Sequence, residues 1–133
     1  MKKYLCAIAL TFSINAFAAD NASIVGSYEC KGHEVDTHAA YTCEMTIQKT
    51  GRTYASTATC SDGTSYRGTG IYDKKSHQLS TVFINPKNVD ETGMSVAKIK
   101  PSGELAGAWT YLDKTSIAYA SCYKMKEGPK SKT

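Results

Sequence analysis

Short clusters of turn-forming residues cut this chain into brief apolar runs, and their brevity rules out most ways of arranging those runs in space. Lys49-Thr50-Gly51-Arg52, Ser61-Asp62-Gly63-Thr64, residues 73–77, Pro101-Ser102-Gly103 and Leu112-Asp113-Lys114-Thr115 are all of hairpin length. Between them, threonine, tyrosine, valine and isoleucine recur in residues 24–31, 41–48, 53–60, 65–72, 78–84, 93–99, 104–111 and 116–124, the pattern of a β meander. Downstream of the N-terminal segment no stretch reads as a helix. Neighbouring strands are therefore expected to be antiparallel. Only residues 32–40 and residues 85–92, with Pro86 near the start, are expected to form longer loops, and such loops at a rim are where binding surfaces tend to be built.

Eight short strands joined in order can close into an up-and-down barrel, which removes the exposed edges that an open meander leaves. A two-sheet sandwich uses similar strands, but its Greek-key topology needs long crossings between sheets. The expected fold is thus all-β: a single eight-stranded antiparallel up-and-down β-barrel over residues 19–124. Within residues 104–111, alternation puts Leu105, Gly107, Trp109 and Tyr111 on the expected interior face, against Ala106, Ala108 and Thr110. In residues 65–72, Tyr66, Gly68, Gly70 and Tyr72 share a face, and glycines there permit a tight bend or close packing of a neighbouring ring.

The N-terminus carries an address. Lys2 and Lys3 precede an apolar run from Tyr4 to Phe12, and Ala16-Phe17-Ala18 offers small residues at the outer positions of a cleavage site. Residues 1–18 are read as a cleavable signal peptide of bacterial type, with the product periplasmic or secreted. The run is short of the roughly 20 apolar residues a membrane span needs, so no stable membrane insertion is expected after cleavage. Cys6 is not placed for lipid modification. Losing Lys2 and Lys3 takes the formal charge from +4 to +2, which removes the main electrostatic support for a nucleic-acid partner. Most of the remaining excess lies at the end, where Lys124, Lys126, Lys130 and Lys132 face only Glu127, and residues 125–133 are expected to be a disordered basic tail.

Four cysteines follow the signal: Cys30, Cys43, Cys60 and Cys122. An even count in a small exported domain reads as two disulfides, with three pairings possible. No Cys-x-x-Cys is present, so neither a zinc ribbon nor a thioredoxin-type redox site is indicated.

Other groups compete for a chemical role. His33, Glu34, Asp36 and His38 could gather around zinc or copper, but they fit an exposed polar loop better, and no metal is expected. His77 lies in a lysine-flanked turn. Carboxylate pairs for glycoside hydrolysis could be drawn from Glu29, Glu44, Asp62, Glu91 or Glu104, yet most of these lie beside turns or at strand ends. Without a Gly-x-Ser-x-Gly or a free mature thiol, no nucleophile is indicated. The expectation is a protein that is not an enzyme and needs no cofactor. Tyrosine is prominent, with nine in the chain. Tyr28, Tyr54, Tyr66, Tyr72, Trp109 and Tyr111 are the candidate ligand-binding residues, with Tyr119 a further candidate for a cavity or rim. Their other possible use is core packing and cross-strand pairing.

Gly26-Ser27-Tyr28 opening the first strand, Tyr66-Arg67-Gly68-Thr69-Gly70 and Leu105-Ala106-Gly107-Ala108-Trp109 together resemble the calycin architecture of lipocalins and avidins. In that architecture a Gly-x-Trp plugs one barrel end; Tyr28 stands in its place here. A second resemblance is to periplasmic inhibitors of c-type lysozyme, carried by Tyr28-Glu29-Cys30-Lys31-Gly32, Asp62-Gly63-Thr64-Ser65-Tyr66 and a cysteine in the last strand. Those barrels present a serine-glycine-x-x-tyrosine loop to the lysozyme cleft, followed by Trp-x-Lys-Gly; here Asp62 replaces the serine and no Trp-x-Lys-Gly follows. The second resemblance implies a Cys30–Cys122 disulfide across the barrel seam, leaving Cys43 to pair with Cys60. The chain is expected to be an exported binding protein of one of two kinds. A carrier of a small molecule or peptide requires an open, aromatic-lined interior, whereas a protein inhibitor or host-facing interaction module calls for a filled barrel with a protruding loop at residues 61–66 or 85–92.

Overall fold

A computed structural model of the chain describes residues 23–126; the signal peptide call on residues 1–18 and most of the basic tail lie outside them. Eight strands follow one another as β1 (Gly26–His33), β2 (Ala40–Thr50), β3 (Thr53–Cys60), β4 (Ser65–Asp73), β5 (Gln78–Asn85), β6 (Asn88–Ile99), β7 (Leu105–Tyr111) and β8 (Ala118–Lys124). Each is antiparallel to the next, and β8 returns to pair with β1, so the meander is a closed up-and-down barrel. The barrel, rather than the sandwich, follows from the hairpin-length turns, which leave no chain for a crossing between sheets. The architecture is consistent with the calycin resemblance.

Two connections depart from the expected layout. Residues 85–92 are not a long loop: β5 and β6 are joined by a two-residue turn at Pro86 and Lys87, with Asn85 opposite Asn88. Register then slips, because Ile84 faces Thr92, so Val89, Asp90 and Glu91 are accommodated as a bulge. The same polar residues that suggest a loop build this bend. The Lys87 backbone N–H donates to Asn85 Oδ1 at 3.0 Å, that of Asp90 to Asn88 Oδ1 at 3.3 Å, and Thr92 Oγ1 to the Val89 carbonyl at 2.6 Å. The connection from β7 to β8, by contrast, is longer than a hairpin and spans residues 112–117.

The barrel has two unlike ends. Ile24 and Tyr28 close one of them, in a buried cluster with Ile47, Leu79 and Leu105. Tyr28 is among the most deeply buried side chains, and its hydroxyl donates to the Ile24 carbonyl at 2.6 Å. Tyr28 thus helps to close this end of the barrel, with its polar tip satisfied as burial requires. Tyr54 and Tyr72 pack edge to face at 6.2 Å and flank the same cluster. At the opposite end lie residues 34–39, residues 61–64, the Pro86–Lys87 turn and residues 112–117.

The four cysteines form one row across adjacent strands: Cys122 faces Cys30, Cys30 faces Cys43, and Cys43 faces Cys60. The bonds are Cys30–Cys122 and Cys43–Cys60. Register explains why this pairing wins. Joining Cys30 to Cys43 would leave Cys60 and Cys122 three strand spacings apart, about 14 Å, and the third pairing would span two spacings twice; a disulfide bridges Cα atoms less than about 7 Å apart. The two bonds close chain segments of 92 and 17 residues. On the chain-entropy account they contribute about 4.5 and about 3 kcal/mol, respectively. Replacing Cys30 and Cys122 together by alanine should therefore destabilise the barrel by about 1.5 kcal/mol more than replacing Cys43 and Cys60 together. Urea unfolding of the two double variants measures that difference.

Candidate functional site

Inward-facing residues do not fill the barrel. A cavity of about 180 Å³ lies inside it, with Ile47, Leu79 and Leu105 at its floor. Side-chain size explains the space. Ser56 and Ala58 on β3, Ala97 on β6, Gly107 on β7 and Ala120 on β8 all line it, and these short side chains leave room that the aromatic residues among them do not take up. Those aromatics form a continuous edge-to-face set. Phe83 lies 5.8 Å from Tyr66, 6.2 Å from Trp109 and 6.1 Å from Tyr111; Trp109 lies 5.1 Å from Tyr111 and 6.1 Å from Tyr41. Gly93 makes this possible, since a Cβ there would strike the Phe83 ring and the Thr110 carbonyl. At Gly68 and Gly70 the closest side chains are those of Ser56, Thr81 and Leu79, so the absence of a Cβ there allows close packing of neighbouring strands.

Glu34, Asp62 and Thr64 also line the cavity, which places its mouth at the end bounded by residues 34–39 and 61–64. Beside the mouth a polar chain is built on the β6 bulge. Glu91 accepts hydrogen bonds from the Tyr66 hydroxyl, from Asn85 Nδ2 at 3.1 Å and from Asn88 Nδ2 at 3.4 Å. Because the Tyr66 hydroxyl donates its hydrogen bond to Glu91, the Tyr111 hydroxyl is the donor in the 3.3 Å contact between the two tyrosines. Burial, joined by the Glu91 carboxylate, pushes the Tyr66 phenol well above its usual range. Burial likewise raises Tyr111, and raises Tyr41 to about 12. These phenols stay protonated at every physiological pH.

Glu34 stands apart from this network. Its carboxylate makes no hydrogen bond or ion pair among the described residues, and burial raises its pKa, with Glu91, Asp62 and Asp36 adding like-charge repulsion. Asp62 is held differently: its Oδ1 accepts from the Thr64 backbone N–H at 3.0 Å and from Thr64 Oγ1 at 2.6 Å, and these bonds lower its pKa. The indole N–H of Trp109 is sealed from solvent and makes no hydrogen bond of good geometry among the described residues; its polar neighbour is the Tyr41 hydroxyl, whose pKa it draws down against the effect of burial.

Of the tyrosines and tryptophan singled out in the sequence, Tyr66, Trp109 and Tyr111 line the cavity, whereas Tyr28, Tyr54 and Tyr72 pack at the closed end. Tyr119 is exposed on the outside. Tyr41 and Phe83 also line the cavity, and strand alternation could have found them: Tyr41 shares a face with Cys43, Met45 and Ile47, and Phe83 with Leu79 and Thr81. The loop of His33, Glu34, Asp36 and His38 is divided, with Asp36 ion-paired to Lys114 at 3.1 Å and both histidines exposed. Among the described residues no group of three or more histidine, cysteine or acidic side chains converges as a metal-ligand set. Glu29 pairs with Lys31 and Glu104 with Lys100, each at 3.4 Å, and Glu44 is exposed on β2. Neither a protein-family model nor a curated protein matches the chain.

The position of Glu34 has a thermodynamic signature. Its folded pKa lies above the ordinary value of 4.5, so the folded barrel holds that proton more tightly than the unfolded chain does. Its contribution to stability is favourable below the unfolded pKa and is lost as the pH rises through the folded one. Glu34→Gln should accordingly raise the melting temperature at pH 7, with the gain vanishing below about pH 4. Thermal melts of the two proteins across that range read the effect. An unchanged or lowered melting temperature at pH 7 would contradict the arrangement described.

Proposed function

We propose that this chain is an exported, non-enzymatic binding protein that carries a small molecule inside its barrel. The observation that supports it is the open, aromatic-lined cavity of about 180 Å³. An apolar cavity of about 150 Å³ holds benzene, so a ligand with a body the size of one ring fits this space. The mouth groups support binding rather than chemistry. Glu91 is engaged by three donors, Asp62 by Thr64, and the Tyr66 and Tyr111 phenols keep their protons. Two disulfides are compatible with a periplasmic or extracellular destination.

The interaction-module alternative calls for a filled barrel with a projecting loop. Residues 61–64 do form a firm turn, with Gly63 N–H donating to the Cys60 carbonyl at 2.9 Å. The unfilled interior nevertheless favours the carrier, and the second candidate loop, residues 85–92, is a hairpin turn and a bulge.

Trp109 is the chain's single tryptophan and lines the cavity, so its emission reports on the interior directly. Titration with toluene should give a saturable change in that emission. Gly107→Leu should weaken the response at least about tenfold while leaving the β-sheet circular dichroism intact, because a Cβ at this position meets only ordinary contacts and the position lines the cavity. A response that never saturates, or one that Gly107→Leu leaves untouched, would count against the carrier.

A further inference from the structure

We infer that the molecule carried is an organic cation, a protonated amine on a one-ring apolar body, with the ring among Phe83, Trp109 and Leu105 and the ammonium at the mouth beside Glu34. The inference rests on the carrier function proposed above and adds the charge of its ligand.

Four observations converge on it. The cavity wall is apolar and aromatic below but includes carboxylates above, so its polarity runs along one axis from floor to mouth. A ligand complementary to that axis is apolar at one end and charged or hydrogen-bonding at the other. The charged end is selected by Glu34, a half-buried carboxylate that lines the cavity and has no partner among the described residues. Burying a charge without a counter-charge is unfavourable, and a cation entering the mouth would relieve it.

The surroundings do not supply that cation from the protein itself. The ion pairs among the described residues are Lys31–Glu29, Lys100–Glu104 and Lys114–Asp36, and none involves Glu34, Asp62 or Glu91. At this end of the barrel Lys114 is thus already engaged by Asp36, and Lys87, on the turn between β5 and β6, pairs with none of the three carboxylates. Arg67 touches the cavity wall, but it is exposed, alternates outward from Tyr66 on β4 and pairs with none of the three carboxylates. The mouth is therefore locally negative on a chain whose overall formal charge is positive.

The aromatic lining reinforces the same choice. Ring faces attract ammonium groups, most strongly where water is excluded, and Tyr41, Tyr111 and Trp109 are grouped close to the level of Glu34. Gly32, two residues before Glu34, faces Tyr41 across the β1–β2 pair, and Glu34 lines the same cavity as the three rings. An anion would meet repulsion from Glu34, Asp62 and Glu91, and a neutral molecule would leave Glu34 unpaired.

Three probes of matched size separate the possibilities: benzylammonium, benzyl alcohol and benzoate, each titrated against the oxidised barrel by calorimetry and by Trp109 emission. Benzylammonium should bind roughly tenfold more tightly than benzyl alcohol at low ionic strength, and benzoate most weakly. Glu34→Gln should reduce the preference for the cation to about threefold or less. Glu44→Gln, which alters an exposed carboxylate on the outer face of β2, should leave the preference as it is. If benzyl alcohol binds as tightly as benzylammonium, or if the preference survives Glu34→Gln, the cation inference is overturned while the carrier function stands. If none of the three binds, both fall together.

Discussion

Closure of the barrel is the constraint on which everything else in this structure depends. Pairing of β1 with β8, fixed covalently by Cys30–Cys122, turns a linear meander into a cylinder and leaves no strand edge free. Once the cylinder is closed, alternation along each strand becomes a division between inside and outside. Tyr28, Cys30, Ile47, Leu79 and Leu105 are committed to the interior, while Ile71, Val82, Met94 and Tyr119 are committed to solvent. A barrel of eight strands is just wide enough to be filled by side chains or to hold one small molecule. Which of these occurs is decided by side-chain volume at a few inward positions. Here Ala58, Ala97, Gly107 and Ala120 leave space that larger residues would have taken.

The two ends divide the work. Ile24 and Tyr28 seal one end, and the Tyr28 hydroxyl is satisfied by a backbone carbonyl so that the plug carries no unpaired polar atom. The other end is bordered by the longer connections at residues 34–39 and 112–117, together with the β6 bulge. That bulge is a local departure from regular sheet. It turns Glu91 toward Tyr66, and the chain from Tyr111 through Tyr66 to Glu91 fixes the aromatic wall beside the mouth. Glu34, outside that chain, retains its unpartnered charge. A half-buried carboxylate without a counter-charge costs stability, which is the opposite of what folding alone would favour.

Much of the fold was legible in the sequence, because strand runs and hairpin punctuation are local signals. Residues 53–60 matched a strand at both ends, and the interior face of β7 followed from alternation alone. Disulfide pairing was not a local matter. Cysteine spacing left three pairings open, and the choice depends on register between strands far apart in sequence, Cys30 against Cys122 above all. Residues 85–92 misled for a related reason. Asparagine, proline and aspartate mark a bend, but their sequence does not say whether the bend is a loop or a tight turn followed by a bulge. The site was legible in part. Tyr66, Trp109 and Tyr111 were marked by composition and alternation, whereas the placement of Tyr28, Tyr54 and Tyr72 at the closed end depends on strand stagger, which no single strand encodes. Glu34 was noticed only as a possible metal ligand, since its meaning comes from neighbours contributed by β2, β6 and β7.

The central claim is that the barrel is closed at one end and unfilled inside. A crystal of the oxidised protein pressurised with xenon tests it most directly, because xenon enters dry apolar cavities and scatters strongly. The account predicts a xenon site inside the barrel, bordered by Phe83, Trp109 and Leu105. An interior occupied by the protein's own side chains, with no xenon between those residues, would contradict it.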